Sequence, residues 1–363
     1  MRLPLGGVMS DPAFEGNLAS SAMGALPMKT ASFRSIAEGL NGRPLAEPLL
    51  EAAMQRYSRP RPIAPEVTIA FGLDTTYLPH AAVVLASLIA NAPGAKLRFL
   101  IVHDGISPQA RSTFERCAKG HRFDWLEIKA SSVLAMPGKR HISRAGYYRL
   151  MLAELAPPDI DRVLYLDADL VVMGDIRELY ASDLGEHAIG AVCDVGMDGE
   201  AFAERFQLQP KRLGYFNSGV LLMDLTKLRA SDDLSKVITV LETRIDDMEY
   251  GDQCALNVVF WSRWKQLDIL WNVQRRMLMP QEGKPCYATA AEMKKGRRPK
   301  IIHFTEHNKP WSTDGWHPLI WTYYRYLKKT PYRAQVLKLG KVHFLKDLRR
   351  KIKTVVNWYR LQA

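Results

Sequence analysis

The chain has 363 residues, 47% apolar and 24% charged, a balance that suits a soluble globular protein with room for about two ordinary domains and excludes collagen or wholesale disorder. No apolar run reaches the ~18 residues that a bilayer-spanning helix needs, and the longest, Ala81 to Ala90, falls well short. The formal net charge of +12 could signal a nucleic-acid partner, but residues 321–363 hold twelve Lys or Arg against the single acid Asp347, so the rest of the chain is close to neutral.

Residues 1–65 are rich in Gly, Pro, Ser and Ala and end in SRPRPIAPE, whose prolines deny both helix and ladder hydrogen bonds. They read as a leader or linker, with short helices expected only near Ser32–Leu40 and Pro48–Tyr57. Pro4, Gly6, Gly7 and Asp11 break any apolar stretch behind Arg2, which argues against a secretory signal. The four cysteines form no CxxC pair and are expected to be reduced, so cytoplasmic residence is expected.

From Val67 apolar runs alternate with amphipathic stretches, the pattern of a largely parallel sheet with helices on both faces. VTIAFGLD is a strand, and Pro79 opens a helix reaching about Asn91. KLRFLIVHDG is the second strand, Ser107 and Pro108 start a helix that stops at Gly120, and FDWLEIKA is the third strand. Ser143 caps a helix ended by Pro157 and Pro158, and RVLYLDADLVV reads as one strongly apolar strand. AIGAVCD, YFNSGVLLMDL and KIIHFT are further strands, with helices near 235–247 and 252–260. The tail, 321–363, is expected to be helical, because Leu345, Leu348, Ile352, Val355 and Tyr359 recur at helical spacing with basic residues between them. The reading therefore divides the chain at 1–65, 66–320 and 321–363.

Chemistry concentrates at Asp167-Ala168-Asp169, which closes the apolar strand Val163–Leu166. Two carboxylates one residue apart at a strand end can share a hard divalent cation, which in turn can hold a diphosphate; the bland alternative is a solvated acidic turn. The run also matches D-x-D-x-[TV] through Val171, the pattern of an aspartyl-phosphate phosphatase. Against that, about a hundred residues of strand and helix precede it, and Leu256 stands where a second acid would follow Asp252. In IIHFTEHNKPW, His303 ends a strand as a potential third ligand, and Lys309 is a cation for a phosphate. Asp252 in Gly251-Asp252-Gln253 is either a helix N-cap or a functional acid, and Asn217 in YFNSGVLL is either a satisfied core amide or a ligand group.

Taken in order with IAFGLDTTY and RAGYYRLML, these segments resemble family 8 glycosyltransferases, which include bacterial lipopolysaccharide galactosyl- and glucosyltransferases, over residues 67–320. The resemblance implies a type A glycosyltransferase fold, Rossmann-like and mostly parallel, a UDP-galactose or UDP-glucose donor, retention of configuration, and Mn2+ or Mg2+ dependence. By motif it places Gly72, Asp74, Thr76 and Tyr77 on the uridine, Arg149 on donor sugar and phosphate, and Asp167, Asp169 and His303 on the metal. It places Lys309 on the diphosphate, Asn217, Asp252 and Gln253 around the transferred sugar, with Gln253 next to its anomeric carbon, and Asp194 toward the acceptor. Thr76 stands where a common member of the family has asparagine. Glu306 departs from its usual glycine, and an acid there should repel the diphosphate. The expected partner is a saccharide or lipid-linked glycan acceptor, with the basic tail on an anionic inner membrane face and no nucleic acid. An inert member of the family, binding a sugar nucleotide or scaffolding at a membrane, is the other reading, and Glu306 is its support.

Overall fold

Apolar runs buried on both faces build the central sheet, in keeping with parallel strands that must be covered on both sides. A computed structural model describes residues 66–129, 144–211, 214–279, 284–306, 309–312 and 317–340. The expected leader, the Ser143 cap and the apolar stripe Leu345–Tyr359 lie outside these residues. In chain order the strands are β1 (Val67–Gly72), β2 (Leu97–His103), β3 (Arg122–Glu127), β4 (Arg162–Leu166), β5 (Leu170–Val172), β6 (Ile189–Cys193), β7 (Phe216–Asp224), β8 (Lys265–Gln266), β9 (Val273–Gln274) and β10 (Ile301–His303). Seven form one sheet in the order β3-β2-β1-β4-β7-β6-β8, and β5-β10-β9 form a second. In the large sheet only β7 runs against its neighbours. This is the mixed α/β architecture that the resemblance implies, with helices flanking a mostly parallel sheet.

Helix α1 (Leu78–Asn91) follows β1 and is buried continuously from Leu78 to Leu88. Its apolar, alanine-rich sequence suits a helix with little solvent face. Ser107 caps α2 (Pro108–Glu115) by accepting from the Ala110 N–H, with Pro108 at the first helical position, as its sequence predicts. The stretch expected as one helix before Pro157 is instead a 3-10 helix, Arg144–Met151, followed by a short α-turn, Leu152–Leu155. Helices α3 (Asp233–Arg244) and α4 (Gly251–Val259) fall close to the two ranges expected.

Two differences shape the site. RVLYLDADLVV is not one strand: β4 ends at Leu166, the chain turns at Asp167–Asp169, and β5 joins the other sheet, antiparallel to β10. The apolar pattern of both halves is the same because both are buried, so periodicity could not reveal the break. The second concerns residues beyond 320. Helix α6 (Ile320–Leu327), reached after the short α5 (Arg275–Leu278), buries Tyr323, Tyr326 and Leu327 against Val83, Ala86, Val171, Ile302 and Phe304. Val336 of α7 (Arg333–Gly340) joins the same cluster. Burial of such side chains contributes about 1.5–3 kcal/mol each, so the first part of the expected tail is packed structure.

Candidate active site

The site lies where strand connections diverge. β1 feeds β2 and β3 on one side, and β4 lies on the other, so the carboxyl ends of β1 and β4 flank a switch point, the usual ligand crevice of such sheets. Because β7 is antiparallel to β4, its first residues lie beside the end of β4, with Val220 opposite Leu166. Antiparallel β6 brings its own end to the same place, with Cys193 opposite Phe216 and Val192 opposite Asn217. In the second sheet His303 pairs with Leu170, so the histidine reaches the turn that carries the aspartates. These registers enclose a cavity of about 580 Å³.

Asp167, Asp169 and His303 present three ligand atoms within 4.8 Å of one another. His303 Nε2 is 3.2 Å from Asp169 Oδ1 and 4.0 Å from Asp167 Oδ2. Asp169 Oδ1 is buried with no hydrogen-bond partner, an orphaned oxygen that suits cation ligation. Burial alone would raise the Asp169 pKa, but the Lys309 ammonium beside it overcomes this and holds the carboxyl well below the usual carboxylate range. Two carboxylate oxygens and one imidazole nitrogen suit a hard or borderline divalent cation and leave coordination positions for other oxygens.

Arg149, buried on the 3-10 helix, ties the aspartate turn to α4. Its Nη2 donates to Asp167 Oδ1 at 3.0 Å, Nη1 donates to the Ser218 carbonyl, and Nε donates to the Gly146 carbonyl while lying 3.0 Å from Asp252 Oδ2. The guanidinium also sits 4.3 Å from the centre of the Tyr165 ring, whose hydroxyl donates to Asp167. Asp252 is therefore not the simple N-cap its position suggested, since the cap residue of α4 is Tyr250 and the carboxylate faces Arg149. Burial pushes the Asp252 pKa up to about 6, against the pull of Arg149 and with a contribution from Asp167. Its Oδ2 is buried without a hydrogen bond.

Gln253 is held at both ends of its amide. Oε1 accepts from the Ser218 N–H at 3.0 Å, and Nε2 donates to Asp194 Oδ2 at 3.1 Å and to the Tyr215 hydroxyl at 3.3 Å. Asn217 donates to the same Asp194 oxygen at 3.0 Å, so it is a satisfied amide that also lines the cavity.

On the β1 side, Gly72 and Tyr77 line the cavity, whereas Asp74 and Thr76 do not. A Cβ on Gly72 would stand 2.4 Å from the Ala145 carbonyl, so glycine there lets the 3-10 helix close in. Asp74 Oδ1 accepts from the N–H groups of Thr76 and Tyr77 and shapes the turn into α1. Lys309 Nζ donates to Asp169 Oδ2 at 2.5 Å and to the Phe304 carbonyl at 2.8 Å. Glu306 sits at φ 72°, the left-handed backbone region that favours glycine. Its carboxylate takes a 2.9 Å bond from Arg276 Nε and lies 3.6 Å from Arg275 Nε, so the acid is not a bare negative charge facing the cavity.

A family model for glycosyl transferase family 8 matches residues 68–315. The chain belongs to that family. Its relatives include general stress protein A of Bacillus subtilis, 26% identical over 72% of this chain and 93% of the relative. The lipopolysaccharide 1,2-glucosyltransferase of Escherichia coli K12 is 27% identical over 74% and 79%, and the lipopolysaccharide 1,3-galactosyltransferase of Salmonella typhimurium is 27% identical over 70% and 76%. Among solved structures, the galactosyltransferase LgtC, crystallised with donor and acceptor sugar analogs, shares the fold at TM-score 0.65 and 24% identity, over 74% of this chain and 99% of its own.

For this family 8 chain the D-x-D-x-[TV] match is thus a coincidence of spacing, not a phosphatase signature. The sequence reading passed over several groups here, among them Tyr165, Ser218 and Arg276 at the cavity and Asn272 behind it. Only Asn272 carried a signal, a lone amide in the apolar run Ile269–Val273 like Asn217 in its strand.

Proposed function

We propose that this glycosyltransferase moves galactose or glucose, with retention, from a UDP-sugar to a saccharide acceptor, and that it requires a divalent cation, Mn2+ or Mg2+, held by Asp167, Asp169 and His303. The observation that carries this reading is the three-ligand cluster with its orphaned Asp169 oxygen beside Lys309. Once bound, the cation supplies positive charge against the departing nucleoside diphosphate. Lys309 adds a second cation on the phosphates, and Tyr77 offers a ring face to the uracil beside Gly72, with Asp74 and Thr76 shaping that turn. Burial and the nearby carboxylates push the Tyr77 pKa up to about 12, so its phenol stays neutral. Arg149, Asp167, Asn217, Asp252 and Gln253 surround the sugar, and Asp252 Oδ2, ion-paired with Arg149 but without a hydrogen bond, suits a sugar hydroxyl. Asp194 faces the acceptor, whose hydroxyl oxygen bonds to the anomeric carbon as the bond from that carbon to the phosphate oxygen breaks, the hydroxyl proton passing to the departing diphosphate. Gln253 shields the developing positive charge rather than forming an adduct, because an amide is a weak nucleophile.

The test is UDP release from a panel of nucleotide sugars, with excess chelator and after Mn2+ is restored. Chelation is expected to abolish transfer, Mn2+ to recover it, and Asp169→Asn to lower kcat about 10²–10³-fold with the fold kept. Near-normal turnover in chelator would sink the metal assignment. The inert reading rested on Glu306, and the two arginines beside that acid weaken it.

The same reading puts the enzyme on an anionic cytoplasmic leaflet beside a lipid-linked acceptor. Among the described residues no helix is long and apolar enough to cross a membrane, while Trp321, Arg325, Lys328, Lys329, Arg333 and Lys338 are exposed. Each basic group near such a surface contributes ~1 kcal/mol. Since Val336 is core, the informative truncation is after Gly340: it should weaken binding to anionic liposomes while leaving transfer to a soluble acceptor intact.

A further inference from the structure

An unbroken row of buried polar groups joins the acceptor side of the cavity to His303. Asn217 Nδ2 donates to Asp194 Oδ2 at 3.0 Å, Asn272 Nδ2 lies 2.9 Å from Asn217 Oδ1, and Asn272 Oδ1 lies 2.9 Å from His303 Nδ1. Asn272 is fully buried, and Asn217 and His303 are 6% and 4% exposed, so water does not compete for these bonds. Asn272 does not line the cavity.

The direction of every bond in this row follows from its first member. A carboxylate only accepts, so the NH2 end of Asn217 must point at Asp194. Its oxygen then points the other way, where it also accepts from the Gly219 N–H at 3.0 Å, which fixes the amide a second time. Asn272 must offer that oxygen its NH2, leaving its own oxygen toward the imidazole. A carbonyl oxygen accepts only, so the hydrogen between Asn272 and His303 belongs to Nδ1. In the neutral imidazole that leaves the lone pair on Nε2, the nitrogen facing Asp167 and Asp169.

We infer that Asn272 is a positioning residue: it fixes His303 with its hydrogen on Nδ1 and so aims the Nε2 lone pair into the three-ligand cluster, with Asp194 setting the polarity of the row from the far end. Its consequence for cation binding rests on the metal reading above, but the hydrogen-bond assignment does not. The sequence supports it in one respect, since Asn272 ends the 3-10 helix Ile269–Asn272 and enters β9. The parallel register of β9 with β10, His303 opposite Gln274, carries the amide to the back of the imidazole.

The experiment uses the full chain labelled with 15N-histidine, in chelator, at a pH where imidazole is neutral. The His303 signals are identified by their loss in His303→Gln. The wild type should show hydrogen on Nδ1, Asn272→Asp should keep it because a carboxylate still accepts there, and Asn272→Leu should lose it. Mn2+ binding to the protein alone, followed by EPR, should weaken about 10- to 100-fold in Asn272→Leu and be largely retained in Asn272→Asp. Hydrogen confined to Nε2 in the wild type overturns the inference, as does Asn272→Leu with an unchanged His303 spectrum and Mn2+ affinity. If Asn272→Leu does not fold, the wild-type and Asn272→Asp spectra decide alone, with hydrogen on Nδ1 in both as the supporting result. A wild type that binds no Mn2+ yet shows the expected Nδ1 behaviour sinks the metal reading and leaves the positioning role standing.

Discussion

Gly219 passes directly beneath His303: a Cβ at residue 219 would stand 2.3 Å from His303 Cε1 and 2.8 Å from Asp167 Oδ2. The backbone of β7 is thus the floor of the three-ligand cluster, and the Gly219 carbonyl also accepts from the Asp167 N–H at 2.9 Å. No side chain fits at this position unless two of the three ligands move.

Gly219→Ala should therefore weaken Mn2+ binding about 10- to 100-fold, the range typical when ligand support is disturbed. EPR titration of free Mn2+ measures it. Unchanged affinity in a folded variant would mean that the cluster is not the cation site.

Gln253→Ala should lower kcat while changing the donor KM little, because the proposed shielding develops only as charge appears at the anomeric carbon. Steady-state kinetics with a soluble acceptor separate the two. A large rise in KM at unchanged kcat would instead make Gln253 a donor-binding residue.

Asp252 predicts a pH dependence of stability. Its folded pKa, raised by burial to about 6 from an ordinary 3.8, means that the folded state binds the proton more tightly than the unfolded chain. Between those values the folded state holds more protons, so this group's contribution to stability falls as pH rises from about 4 through 6, by up to ~3 kcal/mol. Urea unfolding in chelator at pH 4.5 and 7 should show this fall in the wild type relative to Asp252→Asn. An equal difference between the two proteins at both pH values would refute the raised pKa.

Glu306→Gly should tighten UDP binding several-fold. Removing the carboxylate takes an acidic partner from Arg276 at the cavity wall, and glycine relieves a left-handed backbone that costs a non-glycine residue about 1–2 kcal/mol. Calorimetric titration with UDP reads the change, and weaker binding would show that the acid orients the arginines instead.

The sequence by itself determined the buried strands β1, β2 and β7, the half-buried edge strand β3, the Ser107 cap, and the ordered motifs from which family membership was legible, because burial and turn chemistry are written locally in side-chain pattern. Tertiary structure decided what depends on register. Residues on either side of Asp167–Asp169 are equally apolar, so only the pairing of β4 with β7 and β5 with β10 shows that the run divides between two sheets and makes the cavity corner. The arginines beside Glu306 lie thirty residues away in sequence, and Asn272 meets His303 only because β9 runs parallel to β10. Tyr323 and Tyr326 sit in a basic stretch whose charge points to a membrane-facing tail, yet their rings are core, since a helix displays charge on one face while burying the other.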